Sequence, residues 1–330
     1  MKHGGDLSEA IAQYGGTPSA WLDLSTGINP RSWPIPDLLA AEVWQRLPSR
    51  ADAVALIAAA RTAYHVPLGV EIVAAPGTQA LIQWLPHLAS RGAVAVVGPT
   101  YSEHAMAWRG AGRNVIDVGS IDEAVAQATH VVVVNPNNPD GRILDHASLL
   151  RAVRVVERNG GWLVIDEAFV DTMPRSSAVA LCGDHPLVIL RSFGKFYGLA
   201  GIRLGFAVAA PPIAAQIAAA LGPWSCSGPA LAIGTAALRD LAWAEQTRSA
   251  LQEMARGLDA VLVRRGFEIV DGTALFRLAR HCDAAVVHDH LARQHIWCRR
   301  FAHAGDLLRF GLPPGREALD RLDVALASGW

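Results

Sequence analysis

The chain has 330 residues, 51% of them hydrophobic and 18% charged, and 29 Lys+Arg against 30 Asp+Glu leave a net charge of −1. This composition excludes a disordered chain and is long enough for a large core in two lobes. The near-zero charge balance argues against nucleic acid or an anionic membrane as the main partner, and no run of about 18 apolar residues is present to span a bilayer.

In chain order, the start MKHGGDLSEA lacks the apolar stretch of a signal peptide. Four scattered cysteines (Cys182, Cys226, Cys282, Cys298) form no C-x-x-C pair, so a reducing cytoplasm is expected. From about residue 70, short apolar runs alternate with amphipathic segments. The expected strands are Ile72–Ala75, Val94–Gly98, Val131–Asn135, Leu163–Asp166, Val188–Arg191 and Leu204–Ala209, with helices such as Ala80–Ser90 and Ser148–Asn159 between several of them. Runs rich in valine, isoleucine and leucine suit strands buried on both faces, so the fold class is α/β with a mostly parallel sheet. After Pro223 the texture is helical through about Arg265. Strands at Phe267–Val270 and Leu275–Leu278, a helix at Ala284–Gln294 and a strand near Leu307–Phe310 then predict a smaller α+β C-terminal domain. The expected division is an arm at 1–40 that joins the small domain, a large domain at 41–222 and the small domain at 223–330.

Ligands of such sheets collect beyond the carboxyl ends of the strands. The polar segments found there are Gly77-Thr78-Gln79, Pro99-Thr100-Tyr101, Asn135 to Gly141, Asp166-Glu167 and Ser192 to Lys195. Lys195 lies in SFGKFYGLAGIRLGF, and the chain's one other lysine is Lys2. Arginine serves as the cation almost everywhere else. Lysine differs in that it can lose its proton near neutral pH and act as an amine nucleophile, which points to a Schiff base.

The pattern S-x-x-K followed by L-A-G-x-R-x-G, with NPNNPDG (Asn135 to Gly141) and DEAF (Asp166 to Phe169) upstream, resembles the fold-type-I pyridoxal-phosphate (PLP) enzymes of the aspartate aminotransferase superfamily. The resemblance implies that Lys195 carries PLP as a Schiff base and moves protons at the substrate's α-carbon. It implies that Asp166 pairs with the pyridinium nitrogen and that Asn138 donates to the phenolic oxygen. Tyr101 would stack on the ring. Gly77, Thr78 and Gln79 at a helix start, with Ser192 and Arg203, would bind the phosphate. A homodimer is expected by the same analogy.

HGGDLSE (His3 to Glu9), LSTGINP (Leu24 to Pro30), GTALFR (Gly272 to Arg277) and LRFGLP (Leu308 to Pro313) resemble the L-threonine-O-3-phosphate decarboxylases of cobalamin biosynthesis. That likeness implies a small phosphorylated amino acid as substrate. Arg309 would hold its carboxylate, Arg299 and His3 its phosphate, and Asn29 would line the pocket. Arg300 adjoins Arg299, and either can face inward. The histidinol-phosphate type of aminotransferase shares the lysine, aspartate and arginine motifs and stands as the alternative. A regulatory module without turnover is disfavoured, because no basic helix-turn-helix segment is left over.

Two departures stand out. Phe169 lies where many relatives carry a tyrosine that hydrogen-bonds the cofactor, so a raised Schiff-base pKa is expected. Leu47-Pro48 lies where aminotransferases carry a Tyr-Pro that reaches the neighbouring subunit, and Tyr64 is the candidate replacement. His281, Cys282, Asp283, His288, His290, His295, Cys298 and His303 show no standard zinc spacing, so no metal is expected.

Overall fold

The computed structural model describes residues 4–35, 40–183, 185–302 and 304–329. Among them the strands are β1 (Leu22–Leu24), β2 (Glu71–Ala75), β3 (Val94–Val97), β4 (Val115–Val118), β5 (His130–Val134), β6 (Leu163–Asp166), β7 (Leu187–Ser192), β8 (Gly205–Ala209), β9 (Glu268–Thr273), β10 (Phe276–Arg280), β11 (Ile296–Phe301) and β12 (Ala304–Gly311). The chain divides into a larger unit, Trp33–Asn138 with Arg142–Ala244, and a smaller one, Met1–Ser32 with Pro139–Gly141 and Glu245–Trp330.

The larger unit holds a seven-stranded sheet in the order β2-β8-β7-β6-β5-β3-β4. Strand β8 runs antiparallel to both its neighbours, and the other pairs are parallel. Strands β3, β5, β6 and β7 are buried along their whole length, which is why they read as unbroken apolar runs. The sequence reading passes over β4, an edge strand whose V-I-D-V is mostly half-exposed and carries the exposed Asp117. Helix His146–Arg158 packs through Leu149, Ala152, Val153 and Val156, one stripe at helical spacing, and Asp145 caps it by accepting from the Ser148 amide. Burying each of the three larger side chains stabilises by roughly 1.5–3 kcal/mol.

Strands β2 and β7 are both antiparallel to β8, so they run parallel to each other. The carboxyl ends of β2, β3, β5, β6 and β7 therefore share one edge of the sheet. The boundary after residue 222 expected from composition lies elsewhere. Helix Gly228–Arg239 belongs to the larger unit because it packs on helix Arg50–Ala63. At Gly234 a methyl group would stand 2.5 Å from Leu204 and 3.0 Å from Leu56.

The smaller unit is built on a five-stranded sheet in the order β1-β11-β12-β10-β9. The N-terminal arm enters it through β1, which pairs in parallel with β11 (Leu22↔Ile296, Asp23↔Trp297, Leu24↔Cys298). Strands β1 and β11 are absent from the sequence-based expectation. The first is three residues long, and the adjacent arginines of I-W-C-R-R-F break the apolar alternation of the second. Among the described residues no helix is long and apolar enough to cross a membrane.

Candidate active site

In the larger unit, Lys195 sits on the short helix Phe193–Phe196 that follows β7 directly, and it is half-buried. Its Nζ lies 5.9 Å from the centroid of the Phe169 ring. On the neighbouring strand of the same sheet edge, Asp166 closes β6 with its carboxylate buried. Oδ1 accepts from the Ala168 amide at 3.0 Å, and Oδ2 lies 2.8 Å from His104 Nε2. Packed edge-on against His104 at 6.2 Å is Tyr101, whose hydroxyl donates to Gln79 Oε1 at 3.4 Å. Burial, and then the neighbouring Glu103, push the Tyr101 phenol up to about 12, so it stays neutral at physiological pH.

The NPNNPDG turn assigns its asparagines separate tasks. Asn135 accepts from the Leu144 amide at 2.8 Å, while Asn137 accepts from Thr100 Oγ1 at 2.6 Å and donates to the Pro99 carbonyl at 3.0 Å. These two amides fasten the turn, and Asn138 follows them half-buried at the end of this edge. Helix Thr78–Leu88 begins after Gly77 (φ +82°) with no side-chain cap. The Arg203 guanidinium packs against Gly77, where a methyl would lie 2.7 Å from Nη2. Ser192, at the last position of β7, pairs in register with Gly205.

The smaller unit gathers the second group of residues. Arg309 on β12 pairs across the ladder with Arg299 on β11, which places both side chains on one face. Arg299 is half-buried, whereas Arg300 is exposed and pairs with Leu308. The register thus places Arg299, not Arg300, on the same face as Arg309. Arg309 is buried, donates to the Ser25 carbonyl at 2.6 Å, and sits 5.3 Å over the Phe276 ring. Burial, reinforced by the charge of Arg299, pushes its guanidinium down to about 10, and burial also lowers Arg299. Both remain cationic at neutral pH, and an anion placed between them would relieve the mutual repulsion. Asn29 is buried, with Oδ1 accepting from the Arg31 amide at 2.9 Å. Ser25 Oγ accepts from the Gly5 amide at 2.9 Å, which ties Gly5 to the end of strand β1. His3 and His303 lie outside the described residues.

Tyr64 is not the replacement for an inter-subunit tyrosine. Its ring is buried beneath the Arg191 guanidinium at 4.0 Å and edge-on to Phe206 at 5.6 Å, inside the larger unit. Leu47 is exposed. At the surface of the smaller unit, His281, Cys282 and Asp283 bring donor atoms within 4.8 Å of one another. His281 Nδ1 accepts from the Asp283 amide at 3.0 Å, as in a local turn.

Sequence reasoning missed His104, Gly205 and Ser25. The signal for His104 was a histidine three residues after Tyr101 at the start of an apolar helix face. Gly205 was visible as the last glycine of L-A-G-x-R-x-G.

The donor set fits PLP. It offers a lysine amine, a buried carboxylate held on both oxygens, and an uncapped helix start beside an arginine, with glycines where a Cβ would fill the space. A family model described as Aminotransferase class I and II matches residues 44–321. A threonine-phosphate decarboxylase of a Sinorhizobium species is 44% identical over 327 residues, covering 98% of this chain and 97% of its own length. One from Pseudomonas aeruginosa is 42% identical over 330 residues, covering 99% and 97%. The crystal structure of histidinol-phosphate aminotransferase from Sinorhizobium meliloti in complex with pyridoxal-5'-phosphate superposes with a TM-score of 0.84 at 19% identity, covering 97% of this chain and 93% of that one. That last likeness speaks to the fold.

Proposed function

The chain belongs to the aminotransferase class I and II family, and on that premise we propose that it is a PLP-dependent carboxy-lyase. It converts L-threonine O-3-phosphate to (R)-1-amino-2-propanol O-2-phosphate and carbon dioxide, a reaction of cobalamin biosynthesis in the cytoplasm. The observation that carries this reading is identity above 40%, along nearly the whole chain, to two proteins named threonine-phosphate decarboxylase.

When bound, the cofactor supplies an electron sink for the bonding pair left on the α-carbon. Lys195 provides the amine that anchors it and returns the proton to the α-carbon. Asp166, held by His104 and the Ala168 amide, balances the charge of the ring nitrogen. Gly77, Thr78, Gln79, Ser192 and Arg203 would hold the cofactor phosphate, Asn138 would donate to its phenolic oxygen and Tyr101 would pack on the ring. In the smaller unit, Arg309 grips the substrate carboxylate through its fork, and Arg299, with His3 and Asn29, takes the substrate phosphate. Two fixed anion anchors set the rotation about the α-carbon, which decides between loss of carbon dioxide and loss of a proton.

Threonine phosphate offered without a keto-acid acceptor should release carbon dioxide, and Lys195→Ala should abolish the release. Turnover that requires an acceptor would instead identify a histidinol-phosphate-type aminotransferase. We also propose a homodimer, supported by the exposed apolar side chains Trp44 and Leu47. Sedimentation should then give twice the 35.1 kDa chain mass, and a monomer would refute it.

A further inference from the structure

Behind the sheet edge that carries Lys195 and Asp166 lies a buried ionic cluster with no part in the chemistry described so far. Arg191 Nη1 donates to Glu167 Oε2 at 3.3 Å, and Nη2 donates to Asp171. Glu167 also accepts from Ser177 Oγ at 2.7 Å and from the Ala178 amide at 2.6 Å. Arg191 and Glu167 are 2% and 0% exposed, so their ion pair lies away from water.

Its position in the chain is informative. Glu167 immediately follows Asp166, and Arg191 immediately precedes Ser192, three residues before Lys195. Neighbouring side chains of an extended segment point to opposite faces. Asp166 and Ser192 thus present to one side of the sheet, and Glu167 with Arg191 to the other. The ladder between β6 and β7 runs as far as Asp166↔Leu190 and the Glu167 amide on the Leu190 carbonyl at 2.9 Å. The ladder ends at that bond, and the Glu167–Arg191 contact continues the link through side chains. The Asp171 contact then draws in the 3-10 turn Val170–Thr172, and with it Phe169, which faces Lys195.

A buried ion cluster is a weak source of stability, since desolvation offsets most of the Coulombic gain and apolar side chains of equal volume do as well. A guanidinium fork is different in direction: it fixes angles as well as distance. We propose that Arg191, through Glu167 and Asp171, is a positioning residue that sets the spacing between Lys195 and Asp166. This rests on the reading that those two residues bind the cofactor.

The test replaces the whole cluster by neutral side chains of similar shape, Arg191→Met with Glu167→Gln and Asp171→Asn, which leaves no buried charge unpaired. Three quantities are measured: the denaturant midpoint of the apoprotein, the pH midpoint of the visible absorbance after addition of PLP, and kcat and KM for carbon dioxide release. The expected result is a denaturant midpoint near wild type, a displaced absorbance midpoint, and kcat lower by about 10- to 100-fold with KM little changed, the scale expected for misplacement by about 1 Å. Wild-type absorbance and kcat in this variant would reduce the cluster to packing and overturn the proposal. If the variant does not fold, Arg191→Lys decides, because it keeps the charge and loses the fork: the same displacement supports positioning, and wild-type values refute it. A protein that takes up PLP with the wild-type spectrum yet leaves threonine phosphate untouched would refute the proposed reaction alone, because the absorbance measurement needs no substrate.

Discussion

Gly205→Ala isolates the contact between the glycine motif after Lys195 and the helix start that follows β2. Gly205 opens β8 and pairs with Ala75 on one side and Ser192 on the other, so the ladders on both sides hold its backbone in place. Its φ lies outside the left-handed region, so alanine carries no conformational penalty there. The obstacle is steric. A methyl would lie 2.6 Å from the Thr78 amide nitrogen and 2.9 Å from the Gly77 carbonyl carbon, whereas ordinary contact begins at 3.4 Å. Both obstructing atoms are backbone, and no rotamer change relieves them. The Thr78 amide must retreat by about 0.8 Å. A hydrogen bond of about 2.9 Å from that amide to a phosphate would then stretch past the useful range. Loss of one hydrogen bond to a charged group costs about 1.5–3 kcal/mol, and each 1.4 kcal/mol is tenfold in affinity, so PLP should bind about 10- to 100-fold more weakly. Overpacking adds about 1–3 kcal/mol of lost stability. Titration of the apoprotein with PLP, followed by visible absorbance, measures the first effect, and inorganic phosphate as competitor shows whether the phosphate subsite is the part that weakened. Affinity within threefold of wild type would refute the reasoning.

His104→Phe should weaken PLP binding and lower the urea midpoint, because Asp166 Oδ2 loses its 2.8 Å partner in a buried site, at a cost of about 1–3 kcal/mol. His104→Gln, which keeps a donor, should recover part of both, and equal values for Phe and wild type would count against the pairing. Phe169→Tyr should lower the pH midpoint of the cofactor's visible absorbance, since an added phenol beside Lys195 stabilises the deprotonated form. An unchanged or higher midpoint contradicts this.

What the sequence reveals depends on whether the cause is local. Strands β3, β5, β6 and β7 announce themselves because full burial selects unbroken apolar runs, while the half-exposed β4 and the arginine-interrupted β11 carry no such signature. Lys195, Asp166 and the NPNNPDG turn are legible because turn chemistry and strand ends impose residue types on neighbouring positions. His104 and Ser25 are not, for their tasks come from partners 62 and 284 residues away. The choice between Arg299 and Arg300 needs the register opposite Arg309. Tyr64 looks like a replacement tyrosine in a string of letters, and its burial under Arg191 is a property of the folded unit.

The division of candidate residues between the two units has a consequence for how such an enzyme can change. All the proposed cofactor ligands fall within Trp33–Asn138 and Arg142–Ala244, while Asn29, Arg299 and Arg309 belong to the smaller unit. On the proposed roles, substrate choice and cofactor binding would be inherited on separate stretches of chain. A library confined to residues 4–32 and 245–329 can be screened first by colour, since uptake of PLP reports that the larger unit is intact. Only the coloured clones need then be challenged with other doubly anionic amino acids.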